Sequence, residues 1–291
     1  MRGRRTIGFG AAMALALLAV APAAQADTNL GTVDGLTYIV DYMPSTAPPA
    51  ALAARAECPG GTHVVGGGAS PVSFAPVTSE FSLNRSRAVD GADRNGTPDD
   101  GWIGRGYNRS GEDKSFFVYA ICFAGEVRYS AKEAAAPGGA RIAAKAACPP
   151  HTYVAGGGAS LTGSPAQAFL NTSISSDGPN SPTVHDAWRV RAWNRGGRVK
   201  HLRVVVECVK FRPAYEFQPT PDPVQRQDAH CRAGSHAMAG GGIISGAPYK
   251  GFINGIYPFA AMGPPPSRAF EFAVSTTEPG LLYGAEVVCR R

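Results

Sequence analysis

A threefold internal repeat constrains the fold of this chain more than any other feature. Each copy opens at a cysteine followed, eight or nine residues later, by three consecutive glycines: CPGGTHVVGGGAS from Cys58, CPPHTYVAGGGAS from Cys148 and CRAGSHAMAGGGI from Cys231. Each copy closes on a strand-like segment ending in a second cysteine, namely FFVYAIC, RVVVEC or AEVVC. Such self-similarity indicates one supersecondary unit used repeatedly. The sequence therefore predicts three related units of about 80 residues.

The spacing inside the copies is also repeated. Trp102 and Trp188 each precede the closing cysteine of their copy by 20 residues, and Asn108 and Asn194 precede it by 14. A further asparagine follows the glycine run in all three copies, at Asn84, Asn171 and Asn254. Spacing kept over such distances indicates duplication of a folded unit.

The third copy is divergent. Counted back from its last cysteine, Ala269 and Ser275 take the positions of the tryptophan and the second asparagine, and one extra residue precedes its glycines. When a Tyr-bearing segment is added before each first cysteine, the units cover 36–122, 127–208 and 213–289. The chain is thus divided into a leader at 1–26, an N-terminal strand and linker at 27–57, and repeats at 58–126, 127–212 and 213–291, with 36–291 forming one closed β domain.

The first 26 residues have the composition of an export signal. MRGRR is basic, IGFGAAMALALLAVA is apolar, and AQA at 24–26 fits the rule for cleavage before Asp27. No later stretch has 18 uninterrupted apolar residues, so we expect no membrane span in the mature chain. Loss of Arg2, Arg4 and Arg5 lowers the formal net charge from +6 to +3. The sequence therefore predicts secretion and argues against nucleic acid as a partner.

All six cysteines lie after the leader. An even number of cysteines in an exported protein indicates disulfides. Because each repeat opens near one cysteine and ends on another, we expect Cys58–Cys122, Cys148–Cys208 and Cys231–Cys289 among the fifteen possible connectivities. On the chain-entropy model, each such disulfide contributes roughly 4 kcal/mol to the stability of the fold.

The secondary structure is predicted to be nearly all strand. In RVVVEC, Val204, Val206 and Cys208 alternate with Val205 and Glu207, as in a strand with two different faces. Short apolar runs separated by turn-forming residues recur at intervals of about ten residues, which is typical of an all-β protein. The segments AALAARAE and AAKAA could also form helical turns, and we favour strands because each leads directly into a cysteine and a proline.

The glycine runs favour an arrangement in which backbones approach closely. No phosphate-binding helix start follows the first two runs, since ASPVSFAP and ASLTGSPA are rich in turn-forming residues. Glycine inside a strand marks a bulge, a bend or the close approach of another backbone. Around a common axis, three copies would compete for the same space, and glycine relieves that competition. We assign a structural role to Gly66, Gly67, Gly68, Gly156, Gly157, Gly158, Gly240, Gly241 and Gly242.

A unit that opens C-P-x-x-x-x-x-x-G and closes on GAEVVC resembles the vitelline membrane outer layer protein family. The resemblance implies a β-prism, in which three Greek-key sheets surround a pseudo-threefold axis. It also implies an extracellular coat or carbohydrate-associated role without established catalysis. A three-bladed closed ring and three tandem small β-sandwiches are the alternative folds. The Tyr-bearing segment LTYIVDY at 36–42 could close the ring by pairing with the last unit.

The strands WIGRGYN and WRVRAWN each have one face with the character of a core. This face carries Trp102 and Asn108 in the first copy and Trp188 and Asn194 in the second, with the asparagines capping turns. The opposite face places arginines beside aromatic residues, which suits stacking on sugar rings or binding of an acidic polymer. The candidate ligand-binding residues are Arg105, Tyr107, Arg189, Arg191 and Trp193. The third copy has Phe270, Phe272 and Val274 in this register, so we expect its strand to be shifted or buried and to bind nothing there.

The loop DGADRNGTPDDG at 90–101 is rich in carboxylates, at Asp90, Asp93, Asp99 and Asp100. Oxygen ligands at this density suit Ca²⁺. The spacing does not follow the EF-hand pattern, and Asp-Gly and Asn-Gly are also common turn formers. Calcium is therefore the one cofactor that the sequence suggests, and a solvated turn is the alternative.

No catalytic signature is present, since the sequence has neither a GxSxG elbow nor an HExxH motif. Repeated copies, one of them divergent, are more typical of a binding scaffold than of an active site. We expect a secreted, non-catalytic protein that binds an extracellular glycan or protein surface. A structural component of an extracellular layer or complex is the second hypothesis, and a secreted hydrolase is the third.

Overall fold

The structure is a computed structural model that describes residues 27–71, 81–91, 95–177, 185–220, 226–244, 251–259, 267–276 and 283–291. These residues form 19 strands and no helix. The strands are β1 (Thr28–Val33), β2 (Leu36–Thr46), β3 (Ala50–Glu57), β4 (His63–Pro71), β5 (Phe81–Val89), β6 (Gly101–Asn108), β7 (Lys114–Phe123), β8 (Arg128–Ala136), β9 (Arg141–Ala147), β10 (Tyr153–Leu161), β11 (Ala168–Ser176), β12 (Ala187–Asn194), β13 (Lys200–Val209), β14 (Ala214–Thr220), β15 (Arg226–His230), β16 (His236–Ile244), β17 (Gly251–Phe259), β18 (Ala269–Thr276) and β19 (Tyr283–Arg290). The predicted all-β fold is confirmed, and the two alanine-rich segments are strands β3 and β9. The predicted leader lies outside the described residues.

The strands form three antiparallel sheets, which we name A, B and C. Sheet A has the order β1-β2-β7-β4-β17-β18-β15, sheet B the order β3-β6-β5-β10-β13-β8, and sheet C the order β14-β19-β16-β11-β12-β9. Each sheet joins strands of two repeats, at the pairs β4·β17, β10·β5 and β16·β11. A strand with a glycine run therefore always pairs with the asparagine-bearing strand of a neighbouring repeat. The repeats interlock in a pseudo-threefold, β-prism-like arrangement and are not tandem sandwiches.

The three disulfides each join two sheets, and the predicted pairing is confirmed. Cys58, which follows β3 of sheet B, is bonded to Cys122 in β7 of sheet A. The other two bonds are Cys148–Cys208 and Cys231–Cys289. They repeat the same connection between sheets C and B and between sheets A and C. Each disulfide thus holds together the two halves of one repeat.

Residues 50–57 lie within the first unit of 36–122 and form its strand β3. This strand pairs with β6 from Ala50 opposite Asn108 to Glu57 opposite Gly101. Strands β9 and β15 take the same place in the second and third repeats, where they pair with β12 and β18. Each repeat therefore has the same six-strand composition.

The expected pairing of LTYIVDY with the last repeat is wrong. This segment lies in β2, which pairs with β7 of its own repeat. Contact with the last repeat is made by the Tyr38 hydroxyl, which donates to the carbonyl oxygen of Ala237 at 2.7 Å. The corresponding tyrosines donate to the preceding repeat at the same distance, Tyr129 to Val64 and Tyr215 to Val154. Tyrosine hydroxyls therefore connect the repeats in sequence, and Tyr38 closes the ring.

The first glycine of the run lies where the three repeats meet. A Cβ atom on Gly66 would lie 2.2 Å from the carbonyl oxygen of Met238 and 2.6 Å from the Cβ of Ala239. A Cβ atom on Gly156 would lie 2.3 Å from the carbonyl oxygen of Val65. Each glycine strand also has a one-residue bulge directly before this position. The backbones of three copies approach one another here.

The second glycine of the run supports an aromatic ring from the facing sheet. A Cβ atom on Gly67 would lie 2.6 Å from the Trp102 ring, and one on Gly157 would lie 2.2 Å from Cγ of Trp188. The third glycine faces the neighbouring strand of its own sheet, since a Cβ atom on Gly68 would lie 1.9 Å from a carbonyl oxygen of β17. Any side chain at these positions would displace a tryptophan or a paired backbone.

The third repeat has no extra residue before its glycines, contrary to the prediction. Its strand β16 has the same one-residue bulge, and Ala239 takes the position that follows it. The run of three is displaced because alanine replaces the first glycine and Gly242 replaces the alanine found in the other copies. A Cβ atom on Gly240 would lie 2.2 Å from Cγ of Phe270, so the second position keeps its aromatic neighbour.

The pairing of strand β18 corrects the predicted equivalents of the tryptophan and of the second asparagine in the third repeat. Its pairing with β15 and β17 places Phe270, and not Ala269, at the tryptophan position. The same register places Thr276, and not Ser275, at the asparagine position. The third repeat is one residue shorter between this strand and Cys289, which displaces a count made from that cysteine. Phe270, Phe272 and Val274 therefore lie on the inward, buried face, so the strand is shifted by one residue from the register read in the sequence.

Strands β6 and β12 each have one buried and one outward face. Trp102 and Trp188 on the buried faces are 1% and 0% exposed. Their indole N–H groups donate to the hydroxyl oxygens of Ser86 and Ser173, each at 3.0 Å. The buried positions therefore form the core, and only the alternate residues face outward.

Asn108 and Asn194 close the turns that follow these two strands. The side-chain oxygen of Asn108 accepts a hydrogen bond from the N–H of Ser110, and its amide nitrogen donates to the carbonyl oxygen of Glu112. Asn194 makes the equivalent two bonds in the turn after β12. Both asparagines are fully buried and stabilise the connection to the next strand.

Candidate functional site

The five candidate ligand-binding residues lie on outward faces of two different sheets. Arg105 and Tyr107 lie in β6 of sheet B, whereas Arg189, Arg191 and Trp193 lie in β12 of sheet C. All five are half-buried and alternate with buried residues. The comparison of repeats groups these residues, but the structure divides them between two surfaces.

Strand β9 extends the surface of sheet C at its edge. Two of its residues, Lys145 and Arg141, are exposed and lie opposite Arg189 and Trp193 respectively. Opposite residues of an antiparallel pair project from the same face. We name the resulting surface the basic face, which consists of Arg141, Lys145, Arg189, Arg191 and Trp193.

Two cavities open on the basic face. The larger has a volume of about 610 Å³, and its lining includes Lys145, Arg189, Ser175 and His185. The smaller has a volume of about 260 Å³ and is lined by residues of β9 and β12, among them Arg191. A third cavity of about 450 Å³ shares His185 with the larger one and extends towards β14. The basic face therefore has two recesses beside its cationic side chains.

The charges of the basic face have few protein partners. Arg189 and Arg191 make no hydrogen bond or ion pair with the described part of the chain, and the Nε atom of Arg189 is buried without a partner. Burial and the nearby Arg191 lower the pKa of Arg189. Lys145 donates to the carbonyl oxygen of Asp177 at 2.9 Å rather than to a carboxylate. The terminal guanidinium nitrogens of both arginines have no described hydrogen bond and remain available to a ligand.

An aromatic corner connects the surfaces of sheets B and C. Arg195 lies 5.1 Å from the ring centre of Trp193, and Arg109 lies 5.2 Å from that of Tyr107. Both arginines also approach the buried ring of Phe169, at 6.0 and 5.6 Å. The Phe169 ring meets the Trp193 ring edge-on at 5.5 Å. The two candidate aromatic residues are thus positioned by one shared cluster.

The surface of sheet B has a row of arginines that crosses four strands. Arg105 lies opposite Arg85, Arg85 lies opposite Ser160, and Ser160 lies opposite Arg203. The Nε atoms of Arg85 and Arg203 are buried and have no hydrogen-bond partner in the described residues. Burial lowers the pKa of Arg85, and the charge of Arg105 lowers it further. We name Arg85, Arg105 and Arg203 the arginine row.

Carboxylates offset little of the charge of the arginine row. Glu133 lies 3.7 Å from Arg203 but is 60% exposed, so the pair contributes little. Burial and the charges of Arg85 and Arg203 lower the pKa of the neighbouring Arg87 to about 10. Glu207, which lies on the same face of β13 as Arg203, is fully buried with no hydrogen bond to either carboxyl oxygen, and burial raises its pKa well above the usual value. Its neutral form is therefore favoured.

The outward surface of sheet A has a different character. Tyr119 and Tyr257 stack with ring centres 6.3 Å apart, and the Tyr257 hydroxyl donates to Glu271. Arg226 forms an ion pair with the same carboxylate at 3.5 Å. Burial raises the pKa of Tyr119 to about 12. Arg226 on this surface is paired with a buried carboxylate, whereas Arg85, Arg105, Arg189 and Arg191 on the other two surfaces have no described carboxylate partner.

A polar cluster beside the basic face has no signal in the sequence. The Ser175 hydroxyl donates to Oε1 of Glu286 at 2.5 Å and lies 2.8 Å from Nδ1 of His185. The His185 ring stacks on Tyr215 with 4.0 Å between ring centres, and burial lowers the pKa of His185. The members come from the second and third repeats, so neither spacing nor a short motif brings them together.

The order of this cluster differs from that of a hydrolase triad. In a triad the imidazole lies between the nucleophilic hydroxyl and the carboxylate, which orients it. Here the Ser175 hydroxyl lies between Glu286 and His185. The Ser175 N–H also donates to the Glu286 carboxylate at 2.9 Å. The cluster therefore connects β11 to β19 and forms one wall of the 610 Å³ cavity.

The aspartates proposed as calcium ligands do not form a group in the described part of their loop. Asp90 and Asp100 each accept a hydrogen bond from a loop N–H, and Asp99 contacts His63 at 3.1 Å. Asp93 lies outside the described residues. Among the residues that the structure describes, no three or more His, Cys, Asp or Glu side chains are placed to hold a metal ion. Calcium binding stays a prediction.

Comparison with known proteins provides no relative from which a function can be transferred. No protein-family model matches the chain, and no curated protein matches it. Within the described ranges, no helix is long and apolar enough to cross a membrane. The three disulfides are consistent with an oxidising, extracellular environment. The functional conclusion therefore depends on the geometry of the surfaces.

Proposed function

We propose that this protein is a secreted, non-catalytic binding protein that recognises a polysaccharide through the basic face. The observation that carries the proposal is that Arg189, Arg191 and Trp193 project side by side from one strand. A guanidinium group offers several hydrogen-bond donors in a fixed plane, and an indole offers a flat apolar surface beside a polar edge. This combination suits a ligand with many hydroxyl or carboxylate oxygens on flat, partly apolar rings.

The shape of the surface supports an extended ligand. Arg189 and Trp193 are four residues apart on a strand, which corresponds to roughly 13 Å. The two cavities of about 610 and 260 Å³ lie along the same pair of strands. The exposed side chains of Arg141 and Lys145 border them. A chain-like ligand would contact several of these groups at once, whereas a small molecule would contact one or two.

The compartment and the family resemblance support the same proposal. The predicted leader and the three disulfides favour a position outside the cell. The resemblance to the vitelline membrane outer layer proteins implies a carbohydrate-associated role. We propose extracellular glycan binding as the function that these observations favour, with a purely structural role in an extracellular layer as the alternative.

A glycan array compares the two roles directly. The wild-type protein is expected to bind a subset of polysaccharides, and the double variant Arg191→Ala/Trp193→Ala, which alters only the basic face, is expected to lose that binding. Tyr42→Ala is the matched control, because Tyr42 packs on Phe117 on the surface of sheet A. Absence of binding by the wild type would contradict the proposal and favour the structural role. Retention of binding by the double variant would contradict the assigned surface.

A further inference from the structure

The other repeats show whether the fold itself requires the residues of the arginine row. Because the repeats share one scaffold, each residue of the row has two equivalents elsewhere in the molecule. The equivalents of Arg105, Arg85 and Arg203 are Arg191, Thr172 and Gly284 in sheet C, and Ala273, Gly255 and Phe117 in sheet A. The same scaffold is therefore built without cations at most of these positions.

The arginine row also lowers the stability of the folded protein when no ligand is bound. Like charges directly opposite each other in an antiparallel pair are destabilising, and Arg85 and Arg105 are such a pair. The Nε atoms of Arg85 and Arg203 are removed from water without gaining a hydrogen bond from the described chain. A local arrangement that costs stability and is not required by the scaffold points to a role in binding.

We propose that the arginine row binds the sulfate or carboxylate groups of an acidic polysaccharide, which makes sheet B a second binding surface. The part of this inference that attributes the anionic groups to a polysaccharide rests on the proposed function. Each guanidinium group can donate two parallel hydrogen bonds to the oxygens of one such group. A bound oxyanion would accept hydrogen bonds from the terminal nitrogens of Arg85, Arg105 and Arg203, and it would neutralise the repulsion among these side chains.

The spacing of the row favours a polymer over a single small ion. Neighbouring strands are roughly 5 Å apart, so the backbones at Arg105 and Arg203 are separated by three strand intervals, on the order of 15 Å. Ser160 lies between Arg85 and Arg203. Its hydroxyl already accepts a hydrogen bond from Nε of Arg87 at 3.1 Å. One oxyanion cannot contact both ends of the row, whereas anionic groups repeated along a polysaccharide can.

Three dextran polymers of equal length test the proposal: unmodified dextran, carboxymethyl dextran and dextran sulfate. Binding of the wild-type mature chain is compared with that of Arg85→Gln/Arg105→Gln. The matched control is Arg128→Gln/Arg268→Gln, which removes the same charge from exposed positions. We expect the row variant to lose at least tenfold in affinity for the two anionic polymers. We expect the control to change the affinity less than about threefold.

Arg85→Gln/Arg105→Gln is expected to fold, because the substitution removes a repulsion and no described hydrogen bond. An unchanged or raised melting temperature of Arg85→Gln/Arg105→Gln checks this point. Equal binding of the anionic dextrans by the wild type and the row variant would overturn the proposal, as would an equal loss in the control. If duplex DNA bound as tightly as the anionic dextrans and this binding also depended on the arginine row, the assignment of a polysaccharide as the ligand would be overturned. Binding of neutral glycans without any binding of anionic dextrans would overturn this inference and leave the proposed function intact.

Discussion

The inward and outward faces of the three repeats differ in how much they have diverged. On the inward face, an aromatic ring packs on the second glycine position in every copy, as Trp102, Trp188 and Phe270. On the outward face of the same strands, one equivalent position carries Arg105, Arg191 and Ala273. The inward face is thus maintained in all copies, whereas the outward face has diverged.

This difference distinguishes the residues that the scaffold requires from the residues that can be used to bind a ligand. A buried ring that fills the space over a glycine leaves little tolerance for change, because protein interiors are close-packed. An outward residue is limited only by solubility and by what it binds. The predictions below test this separation, starting with the inward positions, where the effects are largest.

Gly157→Val is expected to prevent folding or to destabilise the protein by at least about 3 kcal/mol. The new Cβ would lie 2.2 Å from Cγ of Trp188, which cannot move because it is fully buried. Thermal unfolding followed by circular dichroism measures the effect. Gly60→Ala is the control, since a Cβ atom there has nothing within 4 Å. A folded Gly157→Val protein with an unchanged melting temperature would show that close approach is not the reason for the glycines.

Glu207→Val is expected to stabilise the protein, by about 1–3 kcal/mol at pH 7. Its equivalents in the other repeats are Ile121 and Val288, so a β-branched apolar side chain fits this position. Burial raises the pKa of Glu207, which means that the folded state favours the protonated form. The wild type therefore loses stability as pH rises above the ordinary pKa of glutamate, and the variant does not.

Urea denaturation of both proteins between pH 4 and pH 8 measures this difference. The gain in unfolding free energy is expected to grow with pH and to be smallest at pH 4. Asp113→Asn is the control because Asp113 is exposed and its side chain has no described hydrogen bond or ion pair. A stability difference that is independent of pH would contradict the assignment of Glu207 as a neutral buried acid.

Tyr38→Phe is expected to lower the unfolding free energy by about 1 kcal/mol. The substitution removes the hydroxyl that donates to Ala237 and leaves that carbonyl oxygen without this donor. Tyr129→Phe and Tyr215→Phe should cost a similar amount, since they remove the equivalent bonds. Tyr42→Phe should cost less because its partner, the Ser115 hydroxyl, is only partly buried. Unequal effects among the three equivalent tyrosines would contradict a ring of equivalent contacts.

Arg105→Ala is expected to change the unfolding free energy by less than about 0.5 kcal/mol, the smallest effect in the series. Arg105 has no described hydrogen bond or ion pair, and the equivalent residue of the third repeat is Ala273. Differential scanning calorimetry measures the change. A loss of several degrees in melting temperature would show that this outward position belongs to the scaffold.

The repeat, the strands and the disulfides could be predicted because their signals are local. Alternation places Trp188 inward and Arg189 outward whatever the sheet order is. The cysteine pairing follows from the repeat, because Cys58 and Cys122 mark the limits of one unit. These inferences need only the sequence within one copy.

The exchange of strands between repeats could not be predicted from the sequence. The pairs β4·β17, β10·β5 and β16·β11 join residues far apart in the chain, and the register between them spans one or two residues. The Tyr-bearing strand was expected to make the ring closure by pairing, but a single hydroxyl of Tyr38 makes the contact. The third repeat is one residue shorter between β18 and Cys289. Counting back the same number of residues as in the other repeats therefore identified Ala269 and Ser275, although Phe270 and Thr276 are the equivalent residues.

The candidate surfaces could be predicted in part. Alternation identified the outward residues Arg105 and Arg191, since each lies in a strand with a recognisable inward tryptophan. The arginine row was missed because Arg203 belongs to a different repeat from Arg85 and Arg105 and joins them only through sheet B. The polar cluster beside the basic face was missed for the same reason.

The most direct test compares two tryptophans of β12 under the same substitution. Trp188 faces inward over Gly157, and Trp193 faces outward on the basic face. We expect Trp188→Ala to cost about 3–5 kcal/mol and Trp193→Ala about 1 kcal/mol or less, the worth of its edge-on contact with Phe169. Among the folded variants, we expect only Trp193→Ala to lose polysaccharide binding. Equal destabilisation by the two substitutions, or full binding by Trp193→Ala, would contradict the division between scaffold and binding surface.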